Sequence, residues 1–86
     1  MKVRIPSPLR SYTHNKSEVE ATGESVSDVL AFLDSEYPGI RFRMIDEQNA
    51  IRTHIKIFIN NDLATRLTHK VKDDDTVHII CALSGG

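Results

Sequence analysis

The sequence predicts an α+β domain: a mixed sheet of four to five strands packed on one helix. Three observations carry that expectation. The stretches "HIKIFIN" (54–60) and "TVHIICAL" (76–83) are rich in β-branched residues whose sides alternate with strand period. The stretch "GESVSDVLAFLDSEYPG" (23–39) instead repeats its apolar residues at helical spacing. Strands and helices do not alternate along the chain, so the layout is one helix against one sheet and not a βαβ series.

The elements follow in order. In "MKVRIP" (1–6), Val3 and Ile5 face one way and Lys2 and Arg4 the other, as on a half-buried strand. Pro6 and Pro8 interrupt any further ladder. A weaker strand centres on Val19 in "KSEVEAT", and the connection "SPLRSYTHN" makes these two strands hairpin partners. In the helix, Val26, Val29, Leu30, Leu33 and Tyr37 share one face. Ser25 is a good N-cap, and Asp28 stands where a capping box carries Glu, near the positive end of the helix dipole. Pro38 and Gly39 stop the helix.

"IRFRMIDEQNAIRT" (40–53) has no clear period and reads as a long connection. In the strand after it, Ile55, Ile57 and Ile59 share one face; His54, Lys56 and Phe58 share the other. "NND" turns the chain, "LATRL" offers a short edge strand, and "KDDD" is a turn whose Asp residues tolerate left-handed backbone. In the last strand Val77 and Ile79 oppose His78 and Ile80. The first hairpin, the central helix and the apolar last strand suggest a β-grasp, the ubiquitin-like fold. The domain is expected to span 1–82, with Leu83, Ser84, Gly85 and Gly86 as a flexible tail.

Length and composition set limits. Eighty-six residues make one domain with a small core. Eleven basic against twelve acidic side chains, a net charge of −1, argue against a nucleic-acid binder driven by phosphate contacts. The one cysteine, Cys81, can form no intramolecular disulfide and suits a reducing compartment. No signal peptide and no membrane-spanning run is visible, so a cytoplasmic protein, monomeric when free, is expected.

Several residues are candidates for function. If the isoleucine face is core, Phe58 points outward with Ile80 beside it, and Arg4, Lys56 and His78 lie at the rim. Such a patch is a docking surface unless the long connection covers it. Cys81 alternates onto the Val77 and Ile79 face, where a buried, inert thiol is expected. His14, His54, His69 and His78 match no zinc spacing, although His54 and His78 could be cross-strand neighbours. Asp73, Asp74 and Asp75 lack the ligand set of a calcium loop. No metal site, catalytic triad or phosphate-binding loop is expected. Gly85 and Gly86 offer no side chain to pack, and suit a tail that reaches into something narrow.

The order of these pieces resembles a known family. "LR" at 9–10, "YPGI" at 37–40, "IDE" at 45–47, "IKIFINND" at 55–62, "DDDTVHI" at 73–79 and the Gly-Gly end are together similar to the ThiS/MoaD group of ubiquitin-like sulfur carriers. The similarity is greatest to its cysteine-synthesis carriers and archaeal small-modifier-like members. The chain departs from the family's pattern at "THNK", at Asp73–Asp75, where Asp-Gly-Asp is usual, and at Cys81, where proline is common.

The resemblance implies a carrier and not an enzyme. A ubiquitin-activating-type adenylyltransferase would join the Gly86 carboxylate to AMP from ATP, and sulfur would then replace AMP to leave a thiocarboxylate. Gly85 would let the tail enter a channel, with Leu83 and Ser84 contacting the partner alongside Phe58, Ile80, Lys56, His78 and Arg4. The implied partners are that activating enzyme, a sulfur-accepting synthase of the cysteine or molybdopterin type, and a metalloprotease that frees the product. ATP is used by the partner, and no cofactor is bound by the carrier. The alternative is a protein modifier joined to lysine through Gly86.

Overall fold

The computed structural model describes residues 1–82; the expectations for Leu83, Ser84, Gly85 and Gly86 lie outside the described residues. The elements run β1 (Lys2–Arg4), a short 3₁₀ helix (Ser7–Tyr12), β2 (Glu18–Glu20), α1 (Val26–Glu36), α2 (Ile40–Met44), β3 (Ile55–Ile59), β4 (Asp62–Ala64) and β5 (Thr76–Cys81). The sheet order is β2-β1-β5-β3-β4. β1 and β5 are parallel, and the other neighbouring pairs are antiparallel. This is the expected mixed sheet, with five strands and the first and last strands side by side at its centre.

Alternation decides which face is covered. Val3, Ile57, Ile59, Val77 and Ile79 are buried on the helix side, and Val26, Val29, Leu30 and Leu33 of α1 are buried in the same core. Burial of apolar surface at about 25 cal/mol per Å² is the main force holding these layers together. At the start of α1 the Ser25 side chain accepts from Asp28 N–H at 3.2 Å. The Asp28 carboxylate accepts from Glu24 N–H at 3.1 Å, one residue before the position a capping box would use.

Two connections hold more structure than the sequence indicates. The segment between β1 and β2 contains the 3₁₀ helix, entered through Pro8 near its start and anchored by buried Leu9. The stretch read as a long connection starts with α2, so the described residues hold a second helix. Gly39 enters α2 at φ 98°, in the left-handed region that favours glycine. The Asp34 carboxylate of α1 accepts from Gly39 N–H at 3.1 Å and Arg41 N–H at 3.2 Å. Ile40, Met44 and Ile45 are fully buried, and their irregular spacing is why no period shows. Beyond α2, Ile45 and Ile51 form an isolated bridge around an Asp46 turn.

The "KDDD" segment forms the expected turn, without left-handed Asp backbone. Among the described residues, left-handed backbone falls on His14, Asn15, Asn49 and Asn60 among non-glycines, and on none of the three Asp residues. Asp75 acts instead as an acceptor, from Lys72 N–H at 2.8 Å and the Asn60 amide at 2.9 Å. Asn60 Oδ1 in turn accepts from Thr76 N–H at 3.0 Å, tying the β3–β4 turn to the start of β5.

These bonds hold Asp75 below the usual carboxylate range, first through Lys72 N–H and then through Asn60. Asp46 is also lowered, by N–H groups of Ala50 and Gln48. A carboxylate depressed in the folded state stabilises above its unfolded pKa, and that contribution is lost as pH falls through the folded value. The thermal midpoint is therefore expected to hold steady from pH 7 to 5 and to fall below about pH 4. The gap between wild type and Asp75→Asn should narrow over the same acid range in a pH series of melts. A gap constant down to the most acidic pH would contradict this account.

Candidate functional site

The face of the sheet away from α1 carries the candidate residues, because strand alternation that buries one set must expose the other. Register places them. Phe58 on β3 lies opposite His78 on β5 and Leu63 on β4. Lys56 lies opposite Ile80, and Arg4 on β1 lies opposite His78. Ile80 is thus a diagonal neighbour of Phe58, and Lys56 and His78 complete the square they share. Ile80 and Leu63 are each 46% exposed, while Phe58 and His78 are half-buried. A shallow hollow between Phe58, His78 and Ile80 ends at Asn60 and Asn61.

The long connection does not cover this face. α2 packs on α1 and the 3₁₀ helix, and its Ile40 and Met44 enter the core from the helix side. The result is an apolar diagonal, Ile80–Phe58–Leu63, with Lys56, His78 and Arg4 around it. Leu63 was not singled out from the sequence. The signal was present in "LATRL", where a strand that buries Ala64 must turn Leu63 outward.

β5 ends at Cys81, and the Ala82 N–H donates to the His54 carbonyl at 2.7 Å. Main-chain pairing with β3 is thereby extended to the last described residue. Cys81 is half-buried, packed against the margin of the core and not enclosed by it. The strand runs out of the core at this point, so the last inward-facing position has cover on one side only. His54 and His78 are not cross-strand neighbours: His78 faces Phe58, and His54 sits beside Ala82, just past the end of β5. Among the described residues no group of three or more His, Cys, Asp or Glu side chains could hold a metal ion. No helix among them is long and apolar enough to cross a membrane.

Exposed Phe42 and half-buried Arg52 are two further features that the sequence did not announce. Phe42 is 56% exposed, and the Arg52 guanidinium lies 4.7 Å from the centre of its ring. Arg52 Nε also donates to the Phe42 carbonyl at 2.8 Å. Both belong to the stretch without periodicity, where nothing in the order of residues brings position 42 to position 52.

Comparison with known proteins places this geometry. The ThiS family matches residues 3–86. The sulfur carrier protein CysO of Mycobacterium tuberculosis is 30% identical over 89 residues, covering 98% of this chain and 96% of that protein. A chain of the Amycolatopsis orientalis BexX/CysO complex superposes with a TM-score of 0.91 at 32% identity, covering 99% and 98% of the two chains. The small archaeal modifier protein 1 of Methanosarcina acetivorans superposes with a TM-score of 0.80 at 30% identity, covering 99% and 94%.

Proposed function

Since the chain belongs to the ThiS family, we propose that it is a sulfur carrier protein that works through Gly86. The observation that carries the reading is the family match over nearly the whole chain, running on to Gly85 and Gly86. In the proposed cycle the Gly86 carboxylate attacks the α-phosphorus of ATP on a partner enzyme, releasing pyrophosphate and forming an acyl adenylate. Sulfide, or a persulfide followed by reduction of the acyl disulfide, displaces AMP and leaves the thiocarboxylate. That sulfur then attacks an electrophilic acceptor on a synthase. The ATP site and the proton-transfer groups belong to the partners, so the chain is a carrier and not a catalyst.

The geometry suits this division of labour. Residues 82–86 can span at most about 17 Å beyond Cys81 when extended, so Gly86 acts where the sheet end meets a partner. The diagonal Ile80–Phe58–Leu63 supplies an apolar centre with a polar margin, the anatomy of a protein interface. A second copy of the chain is not needed for any step.

A relative in the BexX/CysO complex has a protein partner, which supports an enzyme partner here. Ile80→Asp with Leu63→Asp is expected to weaken binding to the activating enzyme by roughly 30-fold or more, as for loss of an interface hot spot. Both side chains are exposed, so the thermal midpoint should move little. Titration calorimetry and a melt on the same preparation check it; unchanged affinity would remove this face from the interface.

The sulfur acceptor is read as an activated amino acid of the cysteine-synthesis type, from the CysO relatives. The modifier reading is favoured by the Methanosarcina relative; there the Gly86 adenylate would be consumed by a lysine amine. Intact mass and C-terminal peptide sequencing of the chain from its own cells test these together. Replacement of one oxygen by sulfur at Gly86 supports the carrier, and a cysteine adduct supports the cysteine route. Only lysine-linked conjugates would favour the modifier. An unmodified carboxylate in the presence of activating enzyme and ATP would overturn both.

A further inference from the structure

Two shallow grooves flank the end of β5, with Cys81 and Pro8 common to both. One is lined by Arg4, Arg10 and His78. The other is lined by Arg43, Arg52 and His54 beside Phe42. No Asp or Glu lines either groove, in a chain with twelve acidic residues and a net charge of −1. Asp73–Asp75 precede the opposite end of β5, and Glu18, which faces Arg4 across the β1–β2 pair, lies outside the groove lining. The two grooves are therefore lined by cationic and not by acidic side chains, with four arginines around the end of β5.

Two of the four guanidiniums are held in place, those of Arg52 and Arg10. Arg52 is fixed by its bond to the Phe42 carbonyl and by stacking on the Phe42 ring. Arg10 Nε donates to the Ile5 carbonyl at 3.0 Å. The segment bearing Arg52 is itself pinned, since Arg52 N–H donates to Met44 O and Arg52 O accepts from Ile55 N–H, both at 2.9 Å. A guanidinium whose plane is already fixed loses less freedom when it meets a carboxylate fork. Lysines in the same places would carry the charge without that preorganisation.

We propose that this end of the sheet is a cationic collar that docks on an acidic rim around the channel of the adenylating partner. The proposal rests on the carrier reading above and adds the chemistry of the surface that receives the tail. Complementary charge orients the encounter, and the apolar diagonal then holds the complex, so the collar governs the association rate more than the dissociation rate. An acidic protein fits better than nucleic acid. The collar abuts the apolar Ile80, and Glu18 lies opposite Arg4 across the β1–β2 pair, an arrangement adverse to a continuous phosphate backbone.

The test uses the full chain and the adenylyltransferase of the same cell that loads Gly86. Arg4→Gln with Arg43→Glu removes charge from both grooves at exposed positions. Lys70→Gln with Lys72→Glu makes the same change in net charge before the far end of β5, also at exposed positions. Stopped-flow association is followed between 50 and 500 mM salt. The collar variant should associate about 10-fold more slowly at low salt, with a flatter salt dependence and little change in dissociation rate. The lysine control should stay within about 2-fold of wild type.

Equal rates for the collar variant and wild type, with normal thiocarboxylate formation at Gly86, would overturn the collar and leave the carrier reading standing. Equal slowing by the two variants would reduce the effect to net charge and also overturn it. Failure of wild type to be loaded at any enzyme concentration would sink both readings. Circular dichroism melts exclude misfolding, and the single Arg43→Gln variant, expected to show a smaller loss of the same kind, serves if the double variant is unstable. Binding of a labelled single-stranded RNA at 150 mM salt, abolished in the collar variant, would reassign the surface to nucleic acid.

Discussion

Deleting Gly86 is expected to abolish sulfur loading while leaving the fold intact. Activation of a carboxylate requires it to sit in line with the α-phosphate of ATP in a site owned by another protein. Removing one residue withdraws the terminal carboxylate by up to about 3.5 Å. Misplacement of a reacting group by about 1 Å can cost 100-fold, so loading should fall by roughly 100-fold or more. The new end would be Gly85, which has the same chemistry, so the loss would measure position and not reactivity.

Stability should not follow activity in this variant. All the buried hydrophobic residues among those described lie between Val3 and Ile79. The thermal midpoint is expected within about 2 °C of wild type. ATP–pyrophosphate exchange with the activating enzyme, read beside a calorimetric melt, separates the two effects. Exchange at the wild-type rate by the deleted chain would mean that another group is activated, and the proposed chemistry at Gly86 would be wrong.

The largest stability effect is expected at Leu33. It is fully buried on the face of α1 that closes the core, and its carbonyl also accepts from Tyr37 N–H at 2.7 Å as the helix ends. Leu33→Ala leaves the backbone bond in place and removes the packing, for a cost of about 2–5 kcal/mol including the cavity. A domain of this size has roughly 4–13 kcal/mol in total. A loss of about 3 kcal/mol should lower the midpoint by roughly 12–24 °C. At 20 °C the folded fraction should still dock and be loaded, which distinguishes this variant from the loss of Gly86. A midpoint lowered by less than about 3 °C would mean that the helix contributes far less to the core than its burial implies.

Much of the fold was legible because its signals are local. Ile55, Ile57 and Ile59 alternate with His54, Lys56 and Phe58, and the structure separates them in the way a pleated strand requires. Ser25 and Asp28 announce the start of α1, and the cap bond is present. What was missed has short or irregular local patterns. α2 is five residues long, too short to display a period, and it depends on Gly39, Asp34 and the core for its definition. The "KDDD" turn is present, and side-chain acceptance by Asp75 closes it without the left-handed backbone that Asp tolerates.

The candidate site divides in the same way. That Phe58 and Ile80 face away from the core follows from alternation alone, and so does the identity of the family from the order of its motifs. Which of their neighbours completes the surface does not, because register is a relation between strands. Pairing places Leu63 against Phe58, moves His54 away from His78, and sets the rim charges. The sequence by itself determined the fold class and the core faces, since propensity and period are properties of adjacent residues. Only the tertiary structure decided that Arg4, Arg10, Arg43 and Arg52 share one end of the sheet. They come from three separate stretches, and it is the parallel pairing of β1 with β5, together with packing of the 40–54 segment against the end of that strand, that gathers their charge in one place.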